Sequence, residues 1–351
     1  MRSSFCLRVL SRAIVSVAAL SGMALAAPEA WAEKKPSAPA VALKEDSAAA
    51  QKARRKAIAA VKSWGIQLRY LNRPAIAASP FDMFVIDHAP HPKKDVEIPF
   101  TPEQIAPLKV KADGSRRIVL AYLSAGEAER YRYYWKAEWD AEETHPSWLG
   151  PENPNWPGDY QVKFGDPDWQ RIIFGTPESF LDRIAAAGFD GVFLDRVDAY
   201  QDVEETEPGA ADAMTRFIIR LADHARRINP GFMIVMQNAE ELSPSRSLLS
   251  RLDAIVKEDL MYGHGNTEDL NPAPMLRDTL TNLRRARKSG LKVFTLEYVS
   301  TPDKIAAVRA LNAREKFTLH LTERMLGTLS VEPPEQPAAA NPAPPAPPAP
   351  Q

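Results

Sequence analysis

Apolar residues recur along the chain in two alternating rhythms. Short runs rich in β-branched and aromatic residues fall at Trp64–Arg69, Met83–Ile86, Ile118–Leu123, Val192–Leu194, Met233–Met236, Ala254–Val256, Val293–Leu296 and Thr318–Leu321. Runs this short and this continuously apolar suit strands buried on both faces, as in a parallel sheet. Between them the spacing becomes helical. Trp169–Ala187 carries Ile172, Ile173, Phe180 and Ile184 and stops at Gly188, and Ala210–Ile228 stops before Pro230 and Gly231. Pro274–Ser289 stops at Gly290, and Lys304–Glu315 follows a Thr-Pro-Asp start. Gly and Pro at these ends fit helix termination. Strand–helix alternation carried to eight strands predicts an α/β fold, a single (β/α)₈ TIM barrel. An open doubly wound sheet is the alternative, because the pattern does not record closure. One extra apolar run, Tyr160–Phe164, is expected to belong to a long aromatic-rich loop after the third strand.

The two ends are patterned differently. Arg2, Arg8 and Arg12 precede an apolar stretch from Ala13 to Ala27, and the small-residue sites Ala24-Leu25-Ala26 and Ala30-Trp31-Ala32 follow. This predicts a secretory signal peptide over residues 1–32, and so an exported protein, periplasmic or secreted; a membrane anchor is the alternative. The single cysteine, Cys6, lies inside this segment, so the mature chain has no disulfide and no thiolate metal site. Residues 33–52 read as a linker, and 332–351 as an extended Pro/Ala-rich tail. That leaves 53–331 for the barrel, an ordinary length for this fold.

Charge is balanced, with 44 basic and 45 acidic residues and a net charge of −1. No basic block suggests a nucleic-acid partner, and no later apolar run suggests stable membrane insertion after signal cleavage. His88, His91 and His264 fall near the expected mouth, but there is no HExxH and no cysteine pair, so no metal and no other cofactor is expected.

The chemistry lies at the strand ends. Barrel enzymes place their functional residues at the C-terminal edge of the sheet. Here the second strand ends at Asp87 and the third runs on to Glu127. The fourth ends at Asp195 with Asp198 following, the fifth at Gln237-Asn238, the sixth at Lys257-Glu258-Asp259 and the seventh at Glu297-Tyr298. Acids after an apolar run can be ordinary helix N-caps, which accounts well for Asp198, Asp259 and Asp303. It accounts less well for acids directly ending four of eight strands, where partial burial demands a partner or a function. Two facing carboxyl groups suit cleavage of a glycosidic bond, one protonating the leaving oxygen and the other attacking the sugar or activating water. They also suit a metal site. The aromatic residues from Tyr131 to Tyr160 could stack on sugar rings or simply form a small core of their own.

Several motifs at these positions resemble one known family. They are Trp64-Gly65-Ile66-Gln67-Leu68, Ala121-Tyr122-Leu123-Ser124-Ala125-Gly126-Glu127, Arg132-Tyr133-Tyr134-Trp135, Asn155-Trp156-Pro157-Gly158, Gly188-Phe189-Asp190-Gly191-Val192-Phe193-Leu194-Asp195, Gln237-Asn238 and Lys257-Glu258-Asp259-Leu260. They are similar to glycoside hydrolase family 114, the endo-α-1,4-polygalactosaminidase-like barrels. The resemblance implies a polysaccharide substrate of α-1,4-linked galactosamine and N-acetylgalactosamine. It also implies a catalytic pair at Asp195 and Glu258, with Asp195 as nucleophile and Glu258 as acid/base in a retaining reaction. Swapped roles and inversion stay open. Tyr122, Asp87, Glu127, Trp135, Asp198, Asn238 and Glu297 are the expected substrate contacts. A non-catalytic polysaccharide-binding or export-associated barrel and a metal-dependent deacetylase or hydrolase are the rival functions.

Overall fold

The computed structural model describes residues 47–90, 97–265 and 267–330. The expected signal peptide, the first part of the expected linker, His91 and the Pro/Ala tail lie outside them. Eleven strands follow in chain order. The first three are β1 (Trp64–Gln67), β2 (Met83–Ile86) and β3 (Ile118–Ser124). Then come β4 (Glu127–Glu129), β5 (Leu149–Glu152) and β6 (Asp159–Val162). The rest are β7 (Gly191–Asp195), β8 (Met233–Gln237), β9 (Ala254–Glu258), β10 (Lys292–Glu297) and β11 (Thr318–Leu321). Eight of them form one parallel sheet in the order β1-β2-β3-β7-β8-β9-β10-β11. The order is sequential, without the reversal that marks a doubly wound sheet. At the seam the Trp64 indole N–H donates to the Thr318 carbonyl at 3.0 Å, which brings the two ends of the sheet together. The chain is a (β/α)₈ barrel.

The continuous apolar runs are explained by two cores that share each strand. One set of alternate residues fills the barrel, among them Ile66, Val85, Leu120, Phe193, Val235, Val256 and Phe294. The other set, including Phe84, Val119, Val192, Ile234, Ile255 and Val293, packs outward with Ile184, Phe217 and Leu283 of the surrounding helices. A strand's two-residue period therefore has no polar face until its last residue.

Three sequence expectations are corrected. The Tyr160–Phe164 run contributes most of β6, which pairs antiparallel with β4 and β5 in a small three-stranded sheet, so the segment after β3 is partly regular. The helix expected over Trp169–Ala187 is two, Pro167–Ile173 and Phe180–Ala186. Phe174 is extended, Gly175 has φ 122°, and Pro177 follows, which together break the helical ladder. The linker reading of 33–52 ends too late. A helix begins at Ala48, where the Ser47 side chain accepts from the Ala50 N–H at 3.1 Å and an alanine-rich run continues it.

That helix is fastened under the barrel by charge. Asp253 is fully buried just before β9 and accepts from Arg54 at 3.2 Å, Arg226 at 3.0 Å and the Ile234 N–H at 2.9 Å. Removing the carboxylate takes the anionic partner at Asp253 from two buried guanidinium groups, which keep carbonyl acceptors at Pro230 and Arg251. Asp253→Ala should cost about 3–5 kcal/mol of stability, the penalty for breaking a buried ion pair. Urea unfolding of the two proteins checks this; a loss below about 1 kcal/mol would mean the charges are solvated after all.

Candidate active site

In six of the eight barrel strands the inward set ends in a polar side chain at the C-terminal edge. Counting by two from the barrel core leads to Asp87 beyond β2, Tyr122 in β3, Asp195 in β7, Gln237 in β8, Glu258 in β9 and Tyr298 beyond β10. Asp195 and Glu258 stand on β7 and β9, with β8 between them. Strands lie ~4.8 Å apart, so the two backbones are separated by roughly 10 Å and the inward side chains converge across that gap.

Each carboxylate is held on both oxygens. Asp195 accepts from the Tyr122 hydroxyl at 2.8 Å and from the Arg196 N–H at 2.8 Å. Glu258 accepts from the Gln237 amide at 2.8 Å and from the Tyr298 hydroxyl. The backbone turns sharply just after these residues: Arg196, Asn238 and Asp259 all have positive φ, between 51° and 54°. Such conformations cost of order 1–3 kcal/mol and cluster at functional sites. Close packing adds a second constraint. A Cβ on Gly126 would lie 2.2 Å from the Arg196 carbonyl oxygen, so only glycine lets the chain leave β3 past the Asp195 turn.

Electrostatics mark the same place. Burial, then the charges of Glu258 and Asp198, push Asp195 up to about 7, against the opposing bonds from Tyr122 and Arg196. Burial also raises Glu258, with Tyr298 opposing. Asp159, paired in register with Glu129, is pushed up to about 8 by burial and by the charges of Glu129, Glu127 and Asp195. Glu127 is raised chiefly by burial; Arg196, 3.0 Å away, and the Asn153 amide at 2.8 Å pull the other way. The mouth is therefore a crowd of carboxyl groups that resist ionising together.

Asp87 belongs to a buried network rather than to open space. Burial would raise it, but Arg132 at 2.8 Å holds it well below the usual carboxyl range. The same guanidinium donates to Glu97 at 2.9 Å and to Glu129 at 2.7 Å, and lies 5.9 Å from the centre of the Tyr122 ring. Asp87, His88 and Glu97 offer three donor atoms within 4.8 Å of one another, a set that could hold a metal ion. Arg132 Nη1 stands 2.8 Å from Asp87, 2.9 Å from Glu97 and 3.3 Å from His88 Nδ1, so a cation of the chain already serves all three.

The remaining expected contacts divide. Asn238 accepts from the Glu258 N–H at 3.1 Å and from Lys257 at 3.2 Å, and its amide reaches Asp198 at 3.4 Å, so it braces the site. Trp135 packs on Tyr160 and Trp139 and donates to Asp140 at 2.9 Å, within the small sheet's own aromatic cluster. Glu297 is a correction. It alternates with Leu296 and Tyr298 on the outward side, is fully buried, and accepts from the Met261 N–H at 3.0 Å, so it stands outside the inward set that forms the mouth. Gln237 and Tyr298 were missed; counting alternate residues along the strands would have found both. A cavity of about 550 Å³ opens beside Tyr298, lined also by Arg324, Glu323, Glu268 and Ser300. Arg324 makes a two-pronged pair with Asp259 at 2.9 and 3.0 Å.

A parallel barrel with its polar residues gathered at one mouth and two tethered carboxylates is the architecture of a barrel glycosidase. The sequence profile of glycoside-hydrolase family GH114 matches residues 44–335, and the chain belongs to that family. An uncharacterised protein of Deinococcus radiodurans is 36% identical over 290 residues, 80% of this chain and 86% of its own length. One of Methanocaldococcus jannaschii is 36% identical over 246 residues, 67% of this chain and 66% of its own. Among solved structures, the glycoside hydrolase domain of PelA from Pseudomonas aeruginosa superposes with TM-score 0.58 at 20% identity, covering 77% of this chain and 98% of that one. Ega3 of Aspergillus fumigatus, in complex with galactosamine, gives TM-score 0.54 at 21% identity, covering 77% and 94%. At these identities the likeness to the two structures is one of fold.

Glu297 supplies a pH test. Burial chiefly, with Asp259 adding, pushes it up to about 8. Between the ordinary carboxyl range and that value the folded chain keeps a proton that the unfolded chain has released, so stability falls as pH rises through the window. Glu297→Gln removes this contribution. The variant should gain on the wild type as pH rises and show a flatter profile in urea midpoints measured from about pH 5 to 9. Parallel profiles would show that Glu297 titrates normally.

Proposed function

We propose that this protein is an exported endo-acting glycosidase that cleaves α-1,4-linked galactosamine and N-acetylgalactosamine polysaccharide with Asp195 and Glu258. The observation that carries the reading is the pair itself: two inward carboxylates on strands flanking β8, each tied by a tyrosine hydroxyl and each raised by burial. Two such groups, each holding its proton more tightly than an ordinary carboxyl, can act as acid and base in one site.

Asp195 is assigned as the nucleophile. Its two donors hold the ionised oxygen toward a sugar carbon, where a bond forms as the glycosidic C–O bond breaks. Glu258 protonates the departing oxygen, then takes a proton from water, whose oxygen attacks the same carbon and frees Asp195. Glu258 suits this part because Tyr298, its hydrogen-bond partner, lines the cavity through which a leaving sugar and water can pass. An amino-sugar polymer suits the mouth because Asp195, Glu258, Asp159 and Glu127 face it with carboxyl groups, which attract a protonated amine. The galactosamine in the Ega3 complex supports the same class. Export is proposed from residues 1–32.

Release of reducing ends from partly deacetylated α-1,4-galactosamine polymer, measured with chelator present, tests the pair. Asp195→Asn and Glu258→Gln, folded as judged by circular dichroism, should each lose ~10²–10⁴-fold in rate. Full activity in either variant would remove that residue from the mechanism, and activity abolished by the chelator would favour a metal hydrolase.

Tyr122 gives a finer check. Its hydrogen bond stabilises ionised Asp195, so Tyr122→Phe should move the acidic limb of the kcat/KM profile to higher pH. A lower maximum with an unmoved limb would mean that Tyr122 serves only to fill space.

A further inference from the structure

The segment between β3 and β7 holds a second cavity, of about 470 Å³, that includes none of the residues bonded to Asp195 or Glu258. Tyr133, Tyr134, Trp139 and Trp148 form its aromatic wall. The volume lies within the roughly 300–1,000 Å³ of small-ligand sites.

Two polar groups in that wall lack partners. Trp139 is 6% exposed and Trp148 is 3% exposed, yet neither indole N–H has an acceptor among the described residues, and neither nitrogen is sealed from solvent. A nearly buried tryptophan ordinarily satisfies this donor. Trp64, Trp135 and Trp169 do so here, through Thr318, Asp140 and Ala125. The unpartnered rings are also fixed in place. Trp139 meets Trp148 edge-on at 5.1 Å, and Trp148 packs on Trp169 at 5.1 Å. Both donors belong to residues that line the cavity and have no protein acceptor among the described residues, so a ligand with acceptor oxygens and an apolar face can replace the water they would otherwise bond.

The rim decides the charge of that ligand. Lys136 and Arg171 are offset by Asp168 and Glu178, with Arg171 and Asp168 paired at 3.0 Å, so the cavity has no net pull on a cation. This is the opposite of the mouth. We propose that the cavity is a second glycan subsite for an uncharged N-acetylhexosamine unit, with the indole N–H groups of Trp139 and Trp148 as its donors. The acetyl carbonyl and ring hydroxyls supply acceptors, and the methyl and the sugar's apolar face lie on the aromatic rings. Two of its lining residues are tied to acids of the Arg132 network: the Tyr134 hydroxyl accepts from the Glu129 N–H at 3.0 Å, and the Tyr133 N–H donates to Glu97 at 2.8 Å. A polymer with free amines and acetylated units would then be gripped at two points, a consequence that rests on the proposed glycan substrate.

The test uses the full chain carrying Asp195→Asn, with ¹⁵N-labelled indoles, titrated with N-acetylgalactosamine and separately with galactosamine. The Trp139 and Trp148 resonances, assigned by Trp→Phe variants, should shift saturably with the acetylated sugar and bind the free amine about tenfold more weakly. Trp139→Phe keeps an aromatic side chain, with a smaller ring, and removes a donor, and should weaken binding about threefold to tenfold. Ile172→Phe fills the cavity from its edge and should abolish the shifts while leaving both indoles in a folded spectrum. Unmoved indoles, or equal affinity for the two sugars, would overturn the proposal. The hydrolase reading is judged apart, by wild-type cleavage of polymer: cleavage with silent indoles sinks the subsite alone, and shifting indoles without cleavage sink the hydrolase alone.

Discussion

Negative charge crowded into a desolvated space is the constraint around which this barrel mouth is arranged. Asp195, Glu258, Asp159 and Glu127 each become harder to ionise because burial withdraws water and neighbours repel. The fold answers in two ways. Arginines are brought from distant parts of the chain, Arg132 to Asp87, Glu97 and Glu129, Arg196 to Glu127, and Arg324 to Asp259. Where no arginine reaches, a neutral donor does: Tyr122 for Asp195, and Gln237 with Tyr298 for Glu258. The two catalytic candidates are held by neutral hydrogen-bond donors, while Asp87, Glu129 and Asp259 are paired with arginines.

Much of the fold was legible in the sequence. All eight barrel strands fall where the apolar runs predicted, because a wall with a core on each side has no polar face to blur the signal. Asp195 and Glu258 stand out as candidates in the sequence because each is the last residue of its strand. Glu297 misled for a definable reason. It also ends a run, but counting by two from Phe294 and Leu296 puts Tyr298, not Glu297, over the mouth. The same count picks Gln237 as the residue that bonds the Glu258 carboxylate, while Asn238 bonds its backbone N–H.

Other features could not be read. The break at Phe174–Pro177 competes with a good helical pattern on either side, and local backbone geometry wins. Arg132 and Arg324 come to the mouth from the segments after β4 and after β11, and nothing in their sequence surroundings announces their partners. The alanines after Ser47 look like a spacer until Arg54, within the same helix, finds Asp253, 199 residues away. Pairings across such distances are set by the closed sheet, not by the neighbours of either residue.

The seam between β1 and β11 has a consequence for the order in which the molecule is made. Trp64 and Thr318 are 254 positions apart, and the bond between them is among the last that a chain emerging from its N-terminus can form. Until then β1 offers an open edge of apolar residues, the kind of edge that recruits other chains. Parallel pairing between distant segments is also slow. A nascent molecule therefore passes through a long window in which seven strands exist without the eighth, and it benefits from being kept unfolded until the whole domain is present. Completion of the barrel is a single late event, and any truncation before β11 leaves a sheet that cannot close on itself.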